Sequence, residues 1–134
     1  MAINATLTRY RPWMLSLLRI IVGFLFMEHG GQKLFALFGG MHGSHASFPT
    51  LIWFAGLIEF FGGLLILVGL CTRVAAFICA GEMAYAYFTV HAPGALWPIL
   101  NGGEPAVLYC FVFLYFVTAG GGPISLDHLL WRKR

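Results

Sequence analysis

The chain has 134 residues, of which 60% are hydrophobic and only 10% charged, with a formal net charge of +3. A soluble domain usually carries about 25% charged residues and, at this length, still exposes much of its surface. The composition therefore excludes an ordinary soluble core and makes lipid the solvent. The basic residues gather at the two ends, Arg9 and Arg11 near the start and Arg132, Lys133 and Arg134 at the finish. That placement excludes the basic stripe of a nucleic-acid-binding surface and reads instead as membrane topology.

In chain order, residues 1–11 form a polar lead-in. Pro12 suits a first helical turn, where its missing N–H costs nothing, and Trp13 suits the membrane interface. No small-x-small cleavage site follows the apolar run, so it is a retained first span and not a signal peptide. This span covers about residues 13–35, with helix extending as far as Phe38 before Gly39 and Gly40 stop it. Residues 39–49 form a loop whose His42 and His45 read as surface histidines. The second span covers about 50–70, and Cys71, Thr72 and Arg73 make a tight turn into the third, about 73–90. A loop from His91 to Gly103 follows, apolar enough to lie on or dip into the membrane. Pro105 opens the fourth span, about 105–120, which ends at the glycines 120–122. The tail carries Asp127, His128 and Trp131 and is expected at the interface.

The expected fold is all-α: one domain over 1–134, an integral membrane four-helix bundle surrounded by lipid. Arg9, Arg11, Arg73 and the final basic triplet fall on one side, which makes both termini cytoplasmic in a multi-pass protein of the cell (inner) membrane. Cys71, Cys79 and Cys110 include no C-x-x-C pair. They read as small hydrophobes, with a redox pair between Cys79 and Cys110 as the alternative.

Charge inside a span is costly and defaults to a functional hypothesis. The first span holds Arg19, Glu28, His29 and Lys33, the second Glu59 and the third Glu82. His91, Asn101 and Glu104 sit in or beside the outer loop. At 100° per residue, Arg19, Gly23, Phe26, Gly30 and Lys33 share one face within about 80°. Gly56 and Gly63 lie on the face of Glu59, and small residues there permit close helix approach. An Arg19–Glu59 ion pair is expected on the inner side, with an outer cluster of His29, Lys33, His91, Asn101 and Glu104, and Glu82 between the two groups. The competing account is that the charges only pin the bundle. Glu28 points away, either snorkelling to the interface or meeting a partner chain, such as another copy in a homo-oligomer. His29, Glu59, Glu82 and His91 are metal-ligand types, yet no H-x-x-x-H or E-x-x-H sets two on one turn, so no metal site is assigned.

The pattern Arg19-x3-Gly23-x5-His29-Gly30-x2-Lys33 resembles the DoxX family of small four-span membrane proteins. So do Glu59-x2-Gly62-Gly63, Thr72-Arg73-x-Ala75-Ala76, Asn101-Gly102-Gly103-Glu104 and Gly122-Pro-x-Ser125-x-Asp127. The resemblance runs from about Leu15 to Asp127. The family resembles the membrane subunit of thiosulfate:quinone oxidoreductase, which implies redox chemistry with quinone as the bound molecule. On that reading the chain is an oxidoreductase subunit in which Arg19, His29, Glu59 and Glu82 orient the head group and move protons. Phe26, Phe60, Phe61 and Tyr85 then line the pocket, with Lys33, His91, Asn101 and Glu104 contributing to binding. Two alternatives stand beside it: a non-enzymatic membrane anchor or assembly factor for a soluble or membrane partner protein, and a small transporter or metal-handling protein.

Overall fold

The computed structural model describes residues 2–131, and the basic triplet expected on the cytoplasmic side lies outside them. Helix α1 is Ala2–Phe35, α2 is Leu51–Val68, α3 occupies residues 72–91, α4 is Pro98–Asn101, α5 is Glu104–Ala119 and α6 is Leu126–Trp131. No strand occurs among the described residues. Thr6–Phe35 and Leu51–Val68 are long and apolar enough to cross a membrane, and α5 is a shorter apolar helix.

α1 departs from expectation at both ends. It begins at Ala2, so Pro12 lies inside the helix and not in its first turn. At about 1.5 Å per residue its 34 residues span roughly 51 Å, far more than the roughly 30 Å of hydrocarbon. Residues 6–14 are all exposed, projecting past the rest of the packing. At the other end the helix stops at Phe35, because Ala36 and Phe38 turn left-handed before Gly39 is reached.

The helices pack as two pairs. In the first, α1 and α2 run antiparallel at very close range, and glycine makes this possible. A Cβ on Gly23 would lie 2.5 Å from the Leu67 backbone nitrogen, and one on Gly63 would lie 2.6 Å from that of Met27. A Cβ on Gly30 would lie 2.6 Å from the Cα of Phe60. In the second pair, the small residues Ala75, Ala76, Cys79 and Ala80 of α3 and the large Phe113 and Phe116 of α5 form one buried core with Ile66 and Phe26. Cys79 is one of three free cysteines. The pairs meet around residues 58–62 of α2.

One end of the molecule is locked by charged side chains on backbone carbonyls and amides. Arg19, 1% exposed, donates from Nε to Gly121 O at 2.8 Å and from Nη1 to Ile66 O at 2.5 Å and Leu67 O at 2.6 Å. Its Nη2 donates to Ile124 O. Ile66 and Leu67 belong to the last turn of α2, where carbonyls lack onward helical partners, and Ile66 O accepts from Gly69 N at 3.1 Å as well as from Arg19. The Asp127 carboxylate accepts from Cys71 N at 2.7 Å and Thr72 N at 2.8 Å, capping α3, where an anion is favoured. Arg73 Nη1 donates to Val117 O and Thr118 O, at 2.6 and 2.7 Å, capping α5 from the opposite polarity.

Candidate functional site

The opposite end is where α1 finishes, α2 begins, α3 finishes and α5 begins. There the two pairs separate around a cavity of about 680 Å³. That volume lies within the range of small-molecule sites. Phe26, His29 and Lys33 enter it from α1. Leu51, Ile52, Ala55, Ile58 and Glu59 enter from α2. Ile78, Glu82, Met83, Tyr85, Ala86, Thr89 and His91 enter from α3, and Pro105, Ala106 and Tyr109 from α5. Most of the wall is apolar. Several wall residues, among them Ile52, Ile78 and Tyr85, are also exposed on the outer surface, so the cavity continues to that surface between α2 and α3.

The charged centre of the wall is Lys33 Nζ donating to Glu59 Oε1. The expected Arg19–Glu59 pair is absent, and the antiparallel register explains why. Gly23 lies opposite Leu67, Met27 opposite Gly63 and Gly30 opposite Phe60. Arg19 is therefore level with the last carbonyls of α2, and Glu59 is level with the turn that carries Lys33. Glu59 is 2% exposed, and among the described residues no group makes a hydrogen bond to its Oε2. Glu82 faces the same cavity from α3, and its Oε2 is also buried without a protein donor.

Both helices that carry these groups contain a π turn, Ile58–Gly62 in α2 and Tyr87–His91 in α3. Glu59 lies in the first and His91 closes the second. A π turn widens the helix by one residue and is frequent at functional sites. Here it aims side chains that a regular helix would place elsewhere. No residue pattern announces either turn.

Of the residues expected to bind, Phe26, His29, Lys33, Glu59, Glu82, Tyr85 and His91 line the cavity. Arg19 does not, being committed to the carbonyls at the far end. Asn101 does not line it either. Its amide donates to Ala95 O at 2.7 Å and Tyr87 Oη at 3.4 Å, and its Oδ1 accepts from Gly103 N at 2.7 Å. Its backbone oxygen receives His91 Nδ1 at 3.1 Å, and Tyr87 Oη donates to Leu96 O. Asn101 thus fastens the loop between α3 and α5. Glu104 is exposed in the first turn of α5, a position favoured by the helix dipole, and its neighbour Pro105 reaches the wall instead. Phe60 is taken up against Gly30 and the Phe35 ring at 5.2 Å, and Phe61 points outward. His42 and His45 are exposed.

Tyr109 is a wall residue that the sequence reading passed over. Its ring packs on Phe26 at 5.2 Å and Phe113 at 5.7 Å, and stands edge-on to His29 at 6.2 Å. The signal was available: Pro105, Tyr109, Phe113 and Phe116 recur at helical spacing, and one of them carries a hydroxyl. Among the described residues, no group of three or more His, Cys, Asp or Glu is placed to hold a metal ion.

Residues 14–92 match the model of the DoxX family. A Haemophilus influenzae protein named "Uncharacterized protein" is 44% identical over 131 residues, covering 95% of this chain and 98% of that protein. A Bacillus subtilis protein named "Putative oxidoreductase CatD" is 27% identical over 124 residues, covering 88% of this chain and 87% of that protein. No solved structure matches. The family match takes in α2, α3 and nearly all of the buried part of α1, the helices that bring Lys33, Glu59 and Glu82 together. On that match, with its long apolar helices, this chain belongs to the DoxX family of membrane proteins.

Proposed function

We propose that this protein is a four-span component of a redox system in the cell membrane, binding a quinone-like small molecule between its helix pairs. One observation carries the reading: a largely apolar cavity of about 680 Å³ whose wall holds Lys33, Glu59, Glu82, His29 and His91 together. A lipid-soluble ring needs the apolar wall for burial and a few convergent polar groups for orientation. The two carboxylate oxygens without protein donors are such groups. When bound, a quinone supplies two-electron, two-proton chemistry. Lys33 and Glu59 fix the head-group end, and Glu82 and His29 hold or pass a proton at their carboxylate and imidazole atoms. The Bacillus subtilis relative's name agrees with redox chemistry.

The test is binding of decylbenzoquinone and decylhydroquinone to the purified protein in nanodiscs. At least one form should bind. Ala86→Phe, which fills the cavity from α3, should weaken binding about tenfold or more while the thermal unfolding midpoint is retained. Absence of binding by either form, or an Ala86→Phe variant that binds as well as the parent, overturns the reading. Co-purification of a soluble enzyme with no ligand bound would support the anchoring role instead.

A further inference from the structure

A second cavity, of about 760 Å³, lies at the locked end between the start of α3, the end of α5 and α6. Arg73, Asp127 and His128 are the ionisable groups of its wall besides Cys71. Both Asp127 oxygens are already taken, by Cys71 N and Thr72 N. Arg73 is only partly engaged. Its Nη1 holds the Val117 and Thr118 carbonyls, while its Nε and Nη2 make no hydrogen bond among the described residues. A guanidinium does not lose its proton in a protein, so these N–H groups are donors at any working pH. They border Gly120, where a Cβ would lie 3.4 Å from Nη2 and 3.7 Å from Nε. Thr72 lines the same cavity and is 0% exposed, and its Oγ1 makes no hydrogen bond among the described residues. A Cβ on Gly121 would lie 2.9 Å from that oxygen, so two successive glycines keep the space beside both groups clear.

A buried hydroxyl without a partner is costly, and the open edge of a guanidinium matches the oxygens of a phosphate. More positive charge stands just outward. Pro12 and Leu15 of α1 line the cavity, and Arg9 and Arg11 precede them by three and four residues on the same faces. The rest of the surroundings is apolar. Val74 lines the cavity and begins an exposed row with Phe77 and Ile78, at helical spacing along α3. A soluble anion leaves that row uncovered, whereas an acyl chain covers it. Basic pockets at the ends of membrane helices hold acidic lipid head groups in this way.

We propose that this second cavity holds the phosphate of an anionic phospholipid, with Arg73 Nε and Nη2 donating to its oxygens. The Thr72 hydroxyl faces the head group from the buried side, and one acyl chain follows Val74, Phe77 and Ile78. The site lies at the opposite end from the cavity of Lys33 and Glu59 and does not depend on what that cavity binds.

Native mass spectrometry of the full chain, titrated in detergent, counts bound lipid. The probes are dioleoylphosphatidylglycerol, dioleoylphosphatidylcholine and chainless glycerol phosphate. The parent should bind one phosphatidylglycerol about tenfold or more tightly than phosphatidylcholine. Glycerol phosphate should not displace it. Arg73→Gln should weaken phosphatidylglycerol binding about tenfold, the worth of a hydrogen bond to a charged group. Arg9→Gln with Arg11→Gln should narrow the preference over phosphatidylcholine and leave the lipid-free unfolding midpoint unchanged. Equal affinity of the parent for both lipids overturns the proposal, as does an Arg73→Gln variant that binds like the parent. Displacement by glycerol phosphate at matching concentration overturns the lipid assignment and gives the cavity to a soluble phosphate. If Arg73→Gln does not fold, Ala119→Phe takes its place, filling the cavity without altering its charge. It should lose the bound lipid, and retention at the parent's affinity overturns the location.

Discussion

Lys33 Nζ donates to Glu59 Oε1 across the α1–α2 interface, and the pair forms part of the cavity wall. The two partners are unequally buried, with 19% of the Lys33 side chain exposed against 3% for Glu59. Glu59 therefore bears the larger desolvation cost if the pair is broken. Lys33→Met leaves a buried carboxylate without its cation and should destabilise by about 3 kcal/mol. The double variant Lys33→Met, Glu59→Leu should recover much of that loss, because neither charge then remains. Chemical or thermal unfolding in detergent checks both. A double variant as unstable as the single one would mean that the pair stabilises the helices beyond neutralising Glu59.

Arg19 acts by shape as well as charge. Its guanidinium reaches four carbonyls, two at the end of α2 and two in the 120–125 segment. Lysine keeps the charge but has a compact head in place of a planar fork. Arg19→Lys should therefore cost about 2 kcal/mol or more by abandoning part of this set. It should leave ligand affinity at the opposite end unchanged, because Arg19 does not line the cavity. Unfolding midpoints together with probe titrations measure the two effects separately. A fall in affinity with unchanged stability would return Arg19 to the site.

The closest helix contact gives the sharpest steric expectation. A methyl group at Gly30 would press into the backbone of Phe60, which cannot rotate away as a side chain can. Gly30→Ala should destabilise by about 2 kcal/mol or more and displace the π turn that carries Glu59. Gly81→Ala is the control. Nothing lies within 4 Å of a Cβ there, and alanine favours the helix by about 1 kcal/mol. Equal behaviour of the two variants would contradict the tight α1–α2 approach.

The helices and their buried faces were legible because apolar runs and glycine spacing encode them directly. Arg19, Gly23, Phe26 and Gly30 are all buried, as their shared face implies. The partner of Glu59 was not legible, because periodicity fixes which face a residue occupies but not the level at which two helices meet. That level is set by Gly23, Gly30 and Gly63 docking on specific backbone atoms. Asn101 and Glu104 were grouped with the cavity because they follow His91 closely in sequence. The loop instead folds Asn101 into its own hydrogen bonds and leaves Glu104 at a helix start. Tyr109 escaped notice because an aromatic in an apolar helix ordinarily signals packing, and its ring does pack on Phe26 and Phe113.

Topology gives the last expectation. Arg9 and Arg11 lie on the projecting part of α1, and Arg73 lies at the start of α3 beside the end of α5. These arginines share the end of the molecule locked by Arg19 and Asp127, whereas Lys33 lies toward the cavity end. Basic residues near span ends are retained on the cytoplasmic side, so the locked end is expected to face the cytoplasm and the cavity end to face outward. His45, in the exposed loop after α1, should then be reachable from outside. In a background with Cys71, Cys79 and Cys110 replaced, a membrane-impermeant thiol reagent applied to intact cells should label His45→Cys. It should label Arg9→Cys only after the cells are opened. Labelling of Arg9→Cys in intact cells would invert the orientation, and labelling of both positions would show that residues 9 and 45 share a side, removing the first span.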